Sequence, residues 1–453
     1  MRNNIKLLIG VILCLLAFNH QGVLSGRVNS SHDGEGESWS VDSLDRLASI
    51  ITDVKKYYYK PLDDKTLLNH AISGMLSSLD PHSSYLTLED LKELEMETIG
   101  KFGGIGVEVI PAHGAIRVIA PVDDTPAYKA GIKAGDYIIR INKKLVRDMT
   151  LKDAISMMRG KKGTCLILTI VRKNVSKPLV FNLRREIIKI QTVKSRVLEP
   201  RYGYVRVAYF QEPTERDMVR AIRKMQRESK GKLKGLVLDL RSNPGGLLIS
   251  AVKIANDFLD ARILKNNNLI VYTKGQVNES QISAKATVGD LVLNIPMVVL
   301  INEGSASAAE VVAGALQDHK RAIIVGVTSF GKGSVQTLIP IDKTGAIKLT
   351  TALYYTPLGR SIQAKGIEPD INVEDIQLSR DGNKDQEIPR IDESALIDHI
   401  ENGGEDGDSK SVSRLEKQQT QSKTELELAY TDYQLYEALH ILKSQNVIRQ
   451  QEE

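Results

Sequence analysis

The sequence is poor in cysteine and in aromatic residues. Its 453 residues include 2 cysteines, and aromatic residues make up 5% of the chain. Cys14 lies in an apolar N-terminal segment, so the rest of the chain has Cys165 alone and cannot form an internal disulfide. Because Cys165 lies in an apolar run, we expect it in the core. The 8 histidines are scattered and show no zinc-ligand spacing, so we expect neither a metal site nor a cofactor.

A strong excess of one charge is also lacking. The formal net charge is +5, and it falls to +3 when residues 1–25, which contribute Arg2 and Lys6 and no acidic residue, are left out. So small a charge argues against nucleic acid as a partner. With 26% charged and 42% hydrophobic residues, the length indicates a soluble protein of roughly three domains.

Residues 1–25 are typical of a secretory signal. A positively charged start precedes a short apolar core, LLIGVILCLLAF, and Val23 and Ser25 offer a cleavage site of small residues. About 12 apolar residues are few for a membrane span, although an uncleaved anchor stays open as the alternative. We expect an exported, periplasmic protein, associated with the inner membrane if the signal is retained.

The most informative stretch covers residues 301–337. A predicted buried strand at its start is followed by a predicted helix over Ala308–Gln317. Ser305 and Ser307 lie between them, where a strand turns into a helix. A second apolar run then leads to Lys332, which has a glycine on each side.

A serine and a lysine of this kind suggest acyl transfer with lysine as the base. The serine hydroxyl needs a base within hydrogen-bond reach. Lysine can accept a proton only when desolvation lowers its pKa, and the sequence around Lys332 is almost free of other charges. Ser307 would also benefit from the helix N-terminus. From these residues alone, Ser305 and Ser307 as helix caps and Lys332 as a surface lysine stay open.

The motifs NEGSASAAE and FGKGSVQ closely resemble those of the carboxyl-terminal processing peptidases, a family of serine endopeptidases. The resemblance implies that Ser307 is the nucleophile, that Lys332 is the base and that Gln336 steadies the lysine. Gln336 lies four residues after Lys332. A helical turn would bring the two side chains together and an extended segment would separate them, and the sequence leaves both open. Ser305 stays open as the alternative nucleophile.

Residues 40–99 have apolar residues at helical spacing and are predicted to form an N-terminal helical region. The element SLDPHS within it is similar to one that the family carries before its binding module. We expect His82 of this element to be structural, because a lone histidine after a proline turn usually is.

Residues 100–175 resemble a PDZ domain, with FGGIGVEV, AGIKAGDYI and one helix near Leu151–Arg159. In such domains a peptide adds as an extra strand beside a glycine-rich loop, whose N–H groups hold its terminal carboxylate. The corresponding residues here are Gly104, Ile105, Gly106 and Val107. Arg172 is a candidate for sensing substrate or contacting the protease body, with a solvated strand end as the alternative.

Residues 176–375 alternate between strand and helix patterns, which predicts an α/β sheet with sites at the strand ends. The turn NPGG supplies glycines that let backbone N–H donors approach an oxyanion. The resemblance makes the N–H groups of Gly246 and Ala308 the candidates, and which glycine donates stays open. We expect Asp239 and Arg241 to orient this turn.

The C-terminal part divides into two segments. Residues 376–423 are polar and acidic, with too few apolar residues for a core, and are predicted to form a flexible linker. Residues 424–453 are predicted to be helical, with Leu435, Leu439 and Leu442 on one face. Helices at both ends of the chain would pack on each other or on a partner protomer.

These observations predict a multidomain α/β protein: a crotonase-like α/β serine protease body with an inserted PDZ domain and helical N- and C-terminal segments. The resemblance implies a secreted endopeptidase that cleaves proteins near their carboxyl termini and whose PDZ domain captures free, apolar carboxyl termini and gates activity. A homo-oligomer is expected, and a lipoprotein adaptor is a further candidate partner because some bacterial relatives work with one. The alternatives are an inactive PDZ scaffold and a crotonase-like acyl-transfer enzyme.

Overall fold

The structure is a computed structural model of the chain, and it describes residues 40–112, 114–229, 233–264, 267–341, 345–376, 378 and 426–452. The predicted signal over residues 1–25 lies outside these residues, and so does the predicted linker apart from Ile376 and Leu378. The chain divides into two compact units, Met1–His70 and Ala71–Glu453. Within the described ranges, no helix is both long enough and apolar enough to span a membrane.

The first unit contains helix α1, Val41–Tyr57. The helix begins after Ser40, whose side chain accepts a hydrogen bond from the Ser43 N–H group. Its spacing of apolar residues matches the prediction, yet the helix has no buried side chain. Lys55 pairs with Asp64, the first residue of the next helix, at 2.5 Å.

Two further helices complete the predicted helical region, α2 over Asp64–Ser77 and α3 over Leu88–Ile99. Between them lies a strand that the helical periodicity did not predict, β1 over Ser84–Thr87. It forms because it pairs antiparallel with residues 345–348, far along the chain, and local patterns do not report such a partner.

An antiparallel sheet with one main helix follows, as expected for a PDZ domain. Its strands run in the order β3-β4-β5-β7-β8, and helix α5 covers Leu151–Met158. The bounds are β3 Val107–Ala112, β4 Ala115–Pro121, β5 Tyr137–Ile141, β6 Lys144–Leu145 beside β5, β7 Cys165–Val171, β8 Leu179–Arg184 and the short helix α4 Pro126–Lys129. The segments entering and leaving this sheet pair with each other as β2, Lys101–Gly104, and β9, Glu186–Lys189.

The expected burial of Cys165 is wrong, because its side chain is exposed. Along β7 the buried residues are Leu166, Leu168 and Ile170. Alternate residues of a strand point to opposite faces, so Cys165 lies on the outer face. The apolar run gave the strand correctly but did not give the face of its first residue.

The body is built on a six-stranded sheet in the order β10-β11-β12-β15-β16-β19. All neighbours are parallel except β10 and β11. The bounds are β10 Val193–Glu199, β11 Tyr202–Val207, β12 Gly235–Asp239, β15 Met297–Ile301, β16 Ile323–Gly326 and β19 Ile371–Asn372.

Helices cover both faces of this sheet. Helices α6 Thr214–Glu228, α7 Leu248–Asn256 and α8 Ala308–Asp318 share one core with Leu236 and Leu238. On the other face, α9, Tyr433–Glu452, buries Leu435, Leu439 and Leu442 against Val237 and Leu300. The predicted apolar face of the C-terminal helix is therefore confirmed, but it packs on the body's own sheet.

A second sheet is antiparallel throughout, and its strands alternate along the chain with those of the first. Its order is β1-β18-β13-β14, and β17 also pairs with β18. The bounds are β13 Leu269–Gly275, β14 Ser283–Lys285, β17 Ser334–Ile341 and β18 Gly345–Tyr355. Strand β17 carries Gln336 and strand β18 carries Tyr354.

Candidate active site

Ser307 lies at the sharp turn between β15 and α8. Its backbone has φ = 54° and ψ = −112°, a conformation that non-glycine residues seldom adopt. Two hydrogen bonds hold this turn: Ser307 N–H donates to Glu310 Oε2 at 2.6 Å, and Ala306 N–H donates to the Asn243 carbonyl at 2.9 Å. The Ser307 side chain is partly exposed and sits at the N-terminus of α8, where free N–H groups favour negative charge.

Ser305 occupies a different position in the same turn. It is fully buried, its hydroxyl donates to the Leu240 carbonyl at 2.8 Å, and it accepts from the Asn302 N–H group at 3.0 Å. A hydroxyl that is buried and bonded in this way cannot meet a substrate carbonyl. Ser305 therefore holds the turn, and Ser307 is the hydroxyl presented to the surface.

Glu310 joins the turn of Ser307 to the loop of Lys332. Its carboxylate is fully buried and accepts four hydrogen bonds. The donors are Ser307 N–H at 2.6 Å, Ser329 Oγ at 2.6 Å, Gly331 N–H at 2.7 Å and Lys332 N–H at 2.9 Å. Burial raises the pKa of Glu310, whereas these four donors stabilise the ionised form and oppose the rise. Sequence reasoning missed this residue, although a lone acid in the apolar helix AAEVVAGAL was a signal.

Lys332 is partly buried in a loop that packs closely on residues 363–366. A Cβ atom on Gly333 would come within 2.4 Å of the Gln363 nitrogen, which explains the glycine. The Gln363 side chain in turn accepts from Gly333 N–H at 3.0 Å. Burial lowers the pKa of Lys332, and the charge of Lys348 lowers it further, while the Asp80 carboxylate opposes both.

Gln336 lies on strand β17, so the segment after Lys332 is extended. Its side-chain amide donates to Ser334 Oγ at 2.9 Å and to Thr350 Oγ1 at 3.3 Å. No hydrogen bond between Gln336 and Lys332 occurs among the described residues. Thr350 also donates to Asp80 Oδ1 at 3.1 Å, which links Gln336 to the SLDPHS element.

The Ser307 side chain has a neighbour that the sequence did not indicate. The buried Tyr354 on β18 lies near it: burial raises the pKa of Tyr354 to about 12, and the Ser307 side chain opposes that rise. A tyrosine so hard to ionise cannot serve as a base near neutral pH. No hydrogen bond between Ser307 and Lys332 occurs in the described part of the chain.

The NPGG turn lies directly against the nucleophile candidate. A Cβ atom on Gly245 would approach the Ser307 Cβ atom to 3.0 Å and the Ala308 nitrogen to 3.2 Å. Gly245 N–H donates to Asn243 Oδ1 at 2.9 Å, whereas Gly246 is exposed and its N–H group makes no hydrogen bond to a described residue. Ala308 is the first residue of α8, so its N–H has no partner within the helix. The geometry favours Gly246 over Gly245 as the second donor beside Ala308.

Comparison with known proteins identifies the family to which the chain belongs. Residues 201–373 match the model of Peptidase family S41, and residues 117–172 match that of the PDZ domain. The carboxy-terminal-processing protease of Bartonella bacilliformis is 48% identical over 82% of this chain and 83% of its own length. The carboxy-terminal processing protease CtpA of Bacillus subtilis is 37% identical over 76% of this chain and 72% of its own.

The chain belongs to the carboxy-terminal processing protease family. It is accordingly a serine-type peptidase of family S41, and the resemblance seen in the sequence is confirmed. A solved structure of a photosystem II D1 C-terminal processing protease is 29% identical, covers 72% of this chain and 86% of its own, and has a TM-score of 0.43. The expected fold class, an α/β protease with a PDZ domain and helical ends, is also confirmed.

The SLDPHS element of this protease lies near Lys332. Asp80 accepts from His82 N–H at 2.7 Å, Ser83 N–H at 2.9 Å and Ser83 Oγ at 2.6 Å. Burial lowers the pKa of His82, and the nearby charge of Lys332 lowers it further. His82 is therefore a neutral ring near pH 7.

The residues that the sequence suggested for peptide binding lie at one edge of the PDZ sheet of the protease. Strand β3, which begins at Val107, is an edge strand of its sheet and pairs with β4 alone. The Ile105 carbonyl accepts from Ala127 N–H and the Gly106 carbonyl from Val122 N–H, whereas the N–H groups of Ile105 and Gly106 donate to no described residue. Gly104 ends β2, and Gly106 has φ = 75°.

Arg172 is engaged inside the PDZ domain. Its guanidinium donates to Asp136 Oδ1 at 2.7 Å and Oδ2 at 2.8 Å, and to the Gly131 carbonyl at 2.8 Å. Asp136 is almost fully buried, so this ion pair fixes the end of β7 to the loop before β5. In this arrangement Arg172 makes no hydrogen bond to residues 104–107 or to any described residue of the body.

Proposed function

We propose that the protease is a secreted endopeptidase that cleaves proteins near their carboxyl termini with Ser307 as nucleophile and Lys332 as base. Neutral Lys332 takes the proton of the Ser307 hydroxyl as Oγ attacks the substrate carbonyl. It then returns the proton to the leaving amine, and water hydrolyses the acyl-enzyme by the same route. The N–H groups of Gly246 and Ala308 stabilise the oxyanion.

The observation that carries this proposal is the Glu310 carboxylate. It binds the backbone of Ser307 and the backbone of Lys332 at once, at 2.6 and 2.9 Å. Two residues 25 positions apart are therefore held by one buried anchor. The burial that lowers the pKa of Lys332 supports its role as the base.

We infer that the described geometry is a resting arrangement. Within the described ranges the Ser307 hydroxyl makes no hydrogen bond to Lys332, and the Gln336 side-chain amide donates to Ser334 and Thr350. Catalysis requires the Ser307 hydroxyl to meet Lys332, and Gln336 to turn its amide oxygen towards the lysine. Substrate capture by the PDZ domain is the event that we propose to favour this rearrangement.

The PDZ domain would capture a free, apolar carboxyl terminus at the open edge of β3. The unused N–H groups of Ile105 and Gly106 support this role, since a carboxylate needs such donors. We propose export to the periplasm through residues 1–25, and assembly with a second copy through α1, whose apolar residues are exposed. A lipoprotein adaptor would be a further partner of the same exported enzyme.

The test uses one tagged protein substrate with either a free or an amidated carboxyl terminus. Ser307→Ala and Lys332→Met should each abolish cleavage of the free form, whereas Lys365→Met, an exposed lysine in a neighbouring loop, should not. Amidation should raise KM because it removes the carboxylate that the groove holds. Full activity of Ser307→Ala or Lys332→Met would refute the proposed chemistry, and equal cleavage of both substrates would refute the proposed capture.

A further inference from the structure

The segment that precedes the C-terminal helix reaches back to the oxyanion turn. Asp432, immediately before α9, forms a bidentate pair with Arg241 in which both N–O distances are 2.7 Å. Gln434 Oε1 accepts a third bond from the same guanidinium at 3.0 Å. Gln434 also donates to the Val373 carbonyl at 2.7 Å, which ties this contact to the edge of the sheet.

Arg241 stands at the start of the turn that presents Gly246. Its own N–H group and its Nε donate to Asp239 Oδ1 at 2.9 and 3.0 Å, and its carbonyl accepts from Arg206 at 3.1 Å. The next residue, Ser242, has φ = 54°, so the chain reverses direction directly after the arginine. The side chain of Arg241 is 10% exposed and that of Asp432 is 25% exposed, so the guanidinium is largely withdrawn from water.

We propose that the C-terminal segment braces the oxyanion turn, and that Asp432 is the positioning residue that does so through Arg241. This inference rests on the proposed function, since it assigns Gly246 to the oxyanion hole. The carboxylates of Asp239 and Asp432 bind the guanidinium from two sides. Asp239 lies on the strand before the turn, and Asp432 lies 191 residues after Arg241. Catalytic power would therefore depend on a part of the chain that contacts neither substrate nor nucleophile.

The physical reason is the sensitivity of oxyanion donors to position. A buried arginine that loses one of two carboxylates is left partly uncompensated and moves towards water. Its backbone carries the turn with it, and a shift of a fraction of an ångström in a donor weakens transition-state stabilisation while leaving ground-state binding intact. The expected signature is a fall in kcat at constant KM.

Asp432 has a second role that the test must separate. Its Oδ1 atom accepts from Leu435 N–H at 3.0 Å, so it also caps α9. Asparagine caps helices as well as aspartate does, so Asp432→Asn removes the charge and keeps the cap. Leu442→Ala is the matched control, because it opens a cavity under the same helix, ten residues away from the brace.

The experiment compares the two variants as full-length enzymes. We expect Asp432→Asn to lower kcat by about tenfold to a hundredfold, less than or equal to the loss of one oxyanion donor. KM and the binding of a carboxyl-terminal peptide to the PDZ domain should not change. A peptide aldehyde, which forms a hemiacetal oxyanion on the nucleophile, should bind more weakly by the same factor as kcat falls. Leu442→Ala should lower the melting temperature and leave kcat and aldehyde affinity unaltered.

Each result decides a different question. An unchanged kcat in Asp432→Asn, or equal losses of kcat in both variants, would overturn the brace. A fall in kcat without a parallel loss of aldehyde affinity would also overturn it. Failure of the wild-type enzyme to cleave any tagged substrate would instead contradict the proposed function, and the brace would fall with it.

Discussion

At the scale of single residues, the protonation of Lys332 is set by opposing influences. Burial lowers its pKa first, Lys348 on β18 lowers it further, and Asp80 of the SLDPHS element raises it. The nearby His82 has its pKa lowered as well, by burial first, and adds no charge near neutral pH. A lysine base works only when neutral, so activity should increase as pH rises through the pKa of Lys332.

This balance predicts opposite effects for two substitutions. Asp80→Asn removes the charge that holds the proton on Lys332, so the acidic limb of kcat/KM should move to lower pH. Lys348→Met removes a charge that expels the proton, so the limb should move to higher pH. Both shifts should be modest, because these charges are partly solvated.

The measurement is kcat/KM against pH for both variants, with Lys365→Met as the control for loss of one exposed charge. Lys365→Met should follow the wild-type profile. Shifts in the same direction, or none, would show that Lys332 does not define the acidic limb. Asn at position 80 keeps an oxygen that can accept from Thr350, so the loop should retain its place.

The residue roles could be predicted from the sequence only where a motif carried them. Ser307, Lys332 and Gly246 follow from short, specific patterns, and the structure brings their loops together. Glu310, Tyr354 and Asp432 were missed because their partners lie on other elements, and no local pattern records such a pairing. The sequence also left open whether Gln336 reaches Lys332, since only the pairing of β17 with β18 decides that the segment is extended.

At the scale of elements, α7 ends in an unfavourable group. Asp257 follows the last residue of α7, where the helix dipole disfavours a negative charge, and its Oδ2 atom is buried without a partner among the described residues. Burial raises its pKa to about 7, and Glu215 on α6 adds to the rise. The packing of α7 in the core of the body should therefore depend on pH.

The sign of this dependence follows from linkage. In the unfolded chain Asp257 has a pKa near 3.8, so the folded state binds the extra proton between about pH 4 and pH 7. The contribution of Asp257 to stability is complete below pH 4 and is lost as pH rises through 7. Asp257→Asn should therefore raise the free energy of unfolding at pH 8 by about 2–4 kcal/mol and leave it nearly unchanged at pH 4.

Urea unfolding at pH 4, 6 and 8 checks this, in a Ser307→Ala background that prevents self-cleavage. Asp148→Asn, at an exposed position of the PDZ domain, is the control for loss of a carboxylate. An equal effect of Asp257→Asn at all three pH values would mean that the carboxyl group is not neutral in the folded protein.

The sequence predicted the type of each element better than it predicted which other elements pack against it. Periodicity gave α5, α8 and the apolar face of α9, and alternation of strand and helix gave the parallel sheet of the body. The patterns did not give β1, whose partner is β18, or the outer face of Cys165, whose orientation depends on which side of the PDZ sheet is packed. The C-terminal helix was expected to meet the N-terminal helices or another protomer, because its sequence contains no record of the sheet face that it covers.

At the scale of the whole molecule, α9 completes the body. The sheet has two apolar faces, and α9 lies on the one that α6, α7 and α8 leave open. Val237, Val298, Leu300 and Val325 lie on this face and are fully buried. A parallel sheet needs cover on both faces, so the C-terminal segment is part of the protease body in space although a long stretch separates it in sequence.

A chain that ends at residue 376 should therefore fail as a folded body. Removing α9 exposes its partners on the sheet and forfeits the burial of three leucines, at about 1.5–3 kcal/mol for each side chain. The three leucines alone contribute about 4.5–9 kcal/mol, which is comparable with the whole stability of a typical domain. We expect the truncated chain to aggregate, and a separate peptide of residues 424–453 to restore solubility when present during refolding.

The control removes residues 391–410 from the predicted linker and should stay soluble. A truncated chain that remains monomeric and unfolds at the wild-type midpoint would show that α9 is an accessory to the body, and the brace on Arg241 would then lack the rigid support that it needs.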